Sequence, residues 1–151
     1  MTLVEAYNIY IKLGLTPNQS KLAAAQIALE TGNFSTSQGV FISDNNIGGI
    51  NYYRGIKNAV KGTPKPVKEW VNNVPSYYAK FNTLADSFAE HIHTMKPALI
   101  KSNTPQEFAH NLRHLPQGMY YIAPEELYSK NLVFWYNKLT QQLAATPEKK
   151  K

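Results

Sequence analysis

The 151-residue chain contains no cysteine. That excludes disulfides, thiolate metal centres and cysteine nucleophiles. It has no run of roughly 18 apolar residues, the length needed for a membrane span. Its opening stretch, MTLVEAYNIYIKLGL, breaks its apolar residues with Glu5 and other polar side chains and makes a poor signal peptide. The expectation is a protein made in the cytoplasm that reaches its target by another route. Acidic residues are scarce, 10 against 16 Lys and Arg, for a net charge of +6. Such a balance favours an anionic partner: nucleic acid, a membrane surface or an anionic cell-wall polymer. The basic residues are dispersed, however, and only Lys61 to Lys68 (KGTPKPVK) and Lys149 to Lys151 cluster. A dedicated nucleic-acid binder would carry a denser stripe, so no nucleic-acid partner is expected. No serine-centred nucleophile motif and no phosphate-binding glycine loop is visible.

What is present describes a folded domain. Hydrophobic residues make up 43% and aromatics 12%, enough for a full core. The ten tyrosines suit either a core or a pocket that grips polar ligands such as sugars. Val4, Tyr7 and Ile11 recur at helical spacing before Gly14. Thr16-Pro17 reads as the N-cap and first position of a second helix, which runs to about Thr31 and stops at Gly32. From Asn33 to Phe81 the helical period disappears; SDNNIGGINYYRG reads as a turn followed by a short strand, and TPKPVKEWV as a loop followed by another strand. Helices return with Leu84, Phe88, Ile92 and Met95, capped by Asn82 or Thr83. A further helix starts at Thr104-Pro105-Gln106-Glu107, and a long one follows Pro124 with the stripe Tyr128, Leu132, Trp135, Leu139 and Leu143. The fold expected is α+β and mainly helical. It is one domain over residues 1–145, with a small irregular or β lobe at about 33–81 inserted between the second and third helices. Residues 146–151 read as a disordered basic tail.

One side chain stands out. AAAQIALETGNF is a small, apolar run that ends on a carboxylate, Glu30. On a helical wheel Glu30 falls between Ala23 and Gln26, with Lys21 nearly opposite. If Lys21 faces water, Glu30 faces protein. A carboxylate at a helix C-terminus also opposes the macrodipole. Both effects raise its proton affinity, as a general acid requires. The competing reading is an ordinary solvated helix end. His110 and His114 have the i, i+4 spacing of zinc ligands, but HNLRH lacks the metalloprotease Glu and no third ligand is evident. No metal and no cofactor are expected.

The two segments Gln26-Ile27-Ala28-Leu29-Glu30-Thr31-Gly32 and Asn45-Asn46-Ile47-Gly48-Gly49-Ile50 resemble the glucosaminidase-type peptidoglycan hydrolases (glycoside hydrolase family 73) of the lysozyme-like superfamily. Val67-Lys68-Glu69-Trp70, the segment Ala79 to Phe88, and Tyr120-Tyr121-Ile122-Ala123-Pro124 resemble further family segments in the same order. The chain departs from the family at Asn33-Phe34, at Gly48-Gly49 and at Ile122-Ala123. The resemblance implies a lysozyme-like fold and cleavage of the peptidoglycan glycan backbone, most simply as an endo-β-N-acetylglucosaminidase, with Glu30 as general acid. Glu69 or Tyr120 would be the second catalytic group. Asn45, Asn46, Gly49, Tyr52, Trp70, Tyr78 and Tyr121 would line the substrate groove, with Tyr53 as a further stacking candidate. The partner implied is the glycan strand, met by a monomer after phage-type release or delivery by a secretion machine. A muramidase or lytic transglycosylase on the same fold, and an inactive wall-binding module, are the alternatives.

Overall fold

The computed structural model describes residues 1–34 and 43–145. The basic tail expected at 146–151 lies outside them. Among the described residues the protein is α+β and mainly helical. Five α-helices, α1 (Leu3–Lys12), α2 (Pro17–Thr31), α3 (Leu84–Leu99), α4 (Pro105–Leu112) and α5 (Glu125–Ala145), accompany a two-stranded antiparallel sheet of β1 (Ala59–Pro64) and β2 (Tyr77–Phe81). The chain divides into two compact units: Met1–Asn33 with the chain from Met95 onward, and Phe34–Thr94.

The first unit is helical. Thr2 and Thr16 each close a capping box, with Glu5 and Gln19 respectively, so the local sequence alone fixes where α1 and α2 begin. Gly32 ends α2 in the left-handed conformation, φ +58°. Helix α2 packs against α1 and α5, and α5 also packs against α4. Leu22, Ala23, Ala24, Ala25, Ile27 and Ala28 are all buried. The alanines let the neighbouring backbones approach, while Leu22 and Ile27 each contribute about 1.5–3 kcal/mol on burial. Leu3, Ala6 and Tyr10 from α1, Phe108 and Leu112 from α4, and Leu132 and Leu139 from α5 complete this core.

Lys21 does not face open water as the helical wheel suggested. Helix α2 is apolar on nearly every side, so it has no water-facing stripe to set against a buried one. Lys21 is half-buried: its Nζ donates to Thr140 Oγ1 (3.2 Å) and lies over the Tyr136 ring.

The second unit holds the sheet. Ile56, Ala79 and Phe81 form its small core, with Ile50, Tyr52 and Ala59 packed against them. Two strand expectations are corrected. Val67–Glu69 is a 3-10 turn, because the backbone N–H of Glu69 bonds back to the Pro66 carbonyl (2.8 Å). In SDNNIGGINYYRG the ladder is reduced to a single bridge, Asn51 to Tyr78. The true first strand, AVKGTP, has no buried face to announce it. The lobe also extends beyond Phe81 to Thr94. The first turns of α3 are tied into it: Ser87 Oγ accepts from Ile47 N–H (3.2 Å), Asp86 from Asn58 Nδ2 (3.3 Å), and Glu90 from the Tyr53 hydroxyl.

Candidate functional site

Glu30 lies in the last turn of α2, where the helix carbonyls already present negative charge. Immediately after it, Gly32, Asn33 and Phe34 all have positive φ (58°, 59° and 71°). A left-handed phenylalanine is strained, and such strain concentrates at functional sites. Glu30 as a residue is exposed, where the wheel placed it facing protein. Its carboxyl end is crowded. The Tyr128 hydroxyl donates to Glu30 Oε2 (3.0 Å), and the fully buried Gln26 donates through Nε2 to the Tyr128 oxygen (3.0 Å). Loss of water around the carboxyl raises the Glu30 pKa above the ordinary range, against the opposing hydrogen bonds of Tyr128 and Gln26.

Three phenols surround this chain of bonds. Tyr128 and Tyr120 are both pushed well up by burial first and by the Glu30 charge second. Tyr10 is raised by burial and then by Tyr120. All three therefore stay protonated and serve as hydrogen-bond donors or acceptors, not as bases. Tyr121 stacks on Tyr128 with ring centroids 3.6 Å apart and donates to the Ala109 carbonyl (2.9 Å), which fixes the Tyr128 ring. The first unit thus brings together Glu30, Tyr120 and Tyr121 from the sequence reading. It adds Gln26 and Tyr128, which that reading passed over. Gln26 had a signal, as the one amide in a buried apolar run. Tyr128 had none, because its place in the α5 stripe reads as core.

The remaining predicted residues lie in the second unit. Glu69 is exposed and ion-paired with Lys65 (3.3 Å), whose Nζ also donates to Asn51 Oδ1 (2.8 Å). Trp70 is half-buried and donates through Nε1 to the Lys65 carbonyl (3.1 Å). Tyr78 lies under the Lys65 ammonium, and Tyr52 packs on the small core. Gly49 is left-handed, φ +65°, so the turn there favours glycine.

The two asparagines bond to backbone. Asn46 is buried and forms a clamp. Its amide donates to the Ile50 and Ala79 carbonyls (both 2.8 Å), and its oxygen accepts from Ile50 N–H (2.7 Å). Asn45 donates to the Phe81 carbonyl (3.0 Å). Both amides are spent on backbone and hold the turn against β2, and a sugar would have to displace those bonds.

One further cluster was not foreseen, and the His110–His114 pair gains a third member. A cavity of about 330 Å³ in the second unit is lined by Tyr53, Asp86, Glu90 and His93, among others. There burial and the Glu90 carboxylate push Tyr53 up to about 12. In the first unit, His110, His114 and Glu125 form the group of potential metal ligands found among the described residues. No described helix is long and apolar enough to cross a membrane.

The fold and site define an α+β, mainly helical protein with a carboxyl held by a buried tyrosine at a helix end. In comparisons with family models, curated proteins and solved structures, none matches this chain significantly.

Proposed function

We propose that the protein cleaves the glycan backbone of peptidoglycan as a lysozyme-like glycosidase, most simply an N-acetylglucosaminidase, with Glu30 as the general acid. The observation that carries this reading is the Tyr128 hydroxyl on Glu30 Oε2 beside a carboxyl of raised proton affinity. A protonated Glu30 gives its proton to the glycosidic oxygen as the sugar ring gains oxocarbenium character. The carboxylate left behind then receives the Tyr128 hydrogen bond, which favours the charged form. Gln26 holds Tyr128 in the orientation for that exchange. Tyr120 feels the Glu30 charge and stays neutral. It acts as a donor to the substrate or to the attacking water, and of the two candidates it fits the second role better than Glu69, whose carboxylate is engaged by Lys65. The positive net charge of +6 favours retention on an anionic wall.

One observation favours a second reading, a lytic transglycosylase. The groups described around the Glu30 carboxyl are phenols and an amide, not a second carboxylate. Hydrolytic glycosidases commonly pair two carboxylates. A transglycosylase, which closes an anhydro ring without external water, needs one.

The test is digestion of purified peptidoglycan by the full chain, with fragments identified by mass and end group. New GlcNAc reducing ends support the glucosaminidase, and anhydro ends support the transglycosylase. Absence of any new glycan end overturns the reading.

A further inference from the structure

We propose that His110, His114 and Glu125 bind a divalent transition ion of the zinc class, which clips the end of α4 to the first turn of α5. The proposal is independent of the role assigned to Glu30.

Helix α4 ends at Leu112, and the chain continues in tightened turns: Arg113 N–H bonds to the His110 carbonyl and His114 N–H to that of Asn111 (both 3.1 Å). This keeps the two imidazoles on one side, with ring centroids 4.5 Å apart. The third ligand, invisible in local spacing, comes from the first residue of α5. His110 Nδ1 lies 3.2 Å from Glu125 Oε2, and one ligand atom from each of the three residues falls within 4.8 Å of the others.

Zinc bonds of about 2.0–2.2 Å in tetrahedral geometry place donor atoms about 3.3–3.5 Å apart. The His110–Glu125 separation already has nearly that length. The longer separations close by small rotations of side chains that are exposed or half-buried. Two imidazoles and a carboxylate match the ligand preference of zinc and leave a fourth position for water.

The surroundings hold Glu125 in place. Arg113 Nε stands 4.0 Å from the other carboxylate oxygen, Oε1, while its Nη1 donates to the Ala123 carbonyl (2.7 Å). Its charge opposes a cation, so the affinity expected is on the order of micromolar, below that of buried structural zinc sites. Glu125 is one helical turn before Tyr128. A bound ion would therefore stiffen the turn that carries the Tyr128 hydroxyl.

The experiment is calorimetric titration of the untagged full chain with zinc chloride in a non-coordinating buffer. Cobalt(II) absorption serves as a second probe of coordination geometry. Expected are one ion per chain, the intense visible bands of tetrahedral cobalt, and a melting temperature raised by about 5–10 °C at a hundredfold excess over Kd. His110→Ala and His114→Ala, at exposed positions, should remain folded by circular dichroism and lose binding. Glu125→Gln, which removes the anionic ligand, should weaken it at least about 100-fold. His93→Ala, exposed and outside the cluster, should bind as wild type does. No binding at about 100-fold above the expected Kd overturns the proposal, as does binding that survives His114→Ala or fails in His93→Ala.

Discussion

The Tyr128 hydroxyl donates to Glu30 Oε2 at 3.0 Å, joining the start of α5 to the end of α2 across 98 residues of sequence. The carboxyl is thereby neither free in water nor locked in an ion pair. It is positioned, and its charged form is favoured by hydrogen bonds from Tyr128 and Gln26.

Replacing Tyr128 by Phe keeps the stacked ring and removes that donor. The Tyr128 hydrogen bond lowers the Glu30 pKa, so its loss raises the pKa further. The alkaline limb of the pH–activity profile should move to higher pH, because a general acid works while protonated. Gln26 loses one of its hydrogen-bond partners, at a cost of about 0.5–1.5 kcal/mol in denaturant unfolding. An unmoved alkaline limb would mean that Tyr128 supports only the core.

Glu30→Gln predicts a stability effect of definite sign. The folded state holds the Glu30 proton more tightly than the unfolded chain does. That contribution is complete below the unfolded value, about 4.3, and is lost as pH rises through the higher folded value. The amide has no charge to desolvate. The variant should match wild type near pH 4 and equal or exceed its melting temperature at pH 7 and above. A variant much less stable at pH 7 alone would contradict the assignment.

His91 predicts the opposite slope. Burial holds its imidazole neutral and pushes its pKa down to about 3. The unfolded chain takes up that proton near 6.5, so stability falls as pH drops from about 6.5 towards 3. His91→Gln should flatten this part of the stability–pH curve, whatever its cost at neutral pH. Urea unfolding across that range measures both effects.

Asn46→Ala should act on folding. It removes three short hydrogen bonds, to the Ile50 and Ala79 carbonyls and from the Ile50 N–H, at a cost of about 2–4 kcal/mol. Gly62→Ala should be harmful for a different reason. Its Cβ would sit 2.6 Å from an Asp44 carboxylate oxygen, which is held by Thr63 N–H (2.8 Å). Asp44→Ala made together with Gly62→Ala should relieve the clash with the carboxylate, leaving the tight contact with Lys80 Cβ (3.0 Å), and unfolding of the double variant against each single one measures it.

The helical frame was readable because its signals are local. Thr2, Thr16 and Thr104 mark helix starts through their own side chains, and Gly32 marks an end through its backbone. The lobe was less legible. Strand β1 is mostly exposed and exists through pairing with β2, so no hydrophobic alternation points to it. Glu30 was visible as a carboxylate out of place. Its partner Tyr128 and the third potential metal ligand, Glu125, depend on how α5 packs, which no short window of sequence encodes.

The most direct measurement compares wild type and Glu30→Gln on purified peptidoglycan, with circular dichroism to confirm that both are folded. Expected are glycan fragments from wild type and a loss of at least about 100-fold in the variant. Equal activity of the two proteins would show that Glu30 is not the acid.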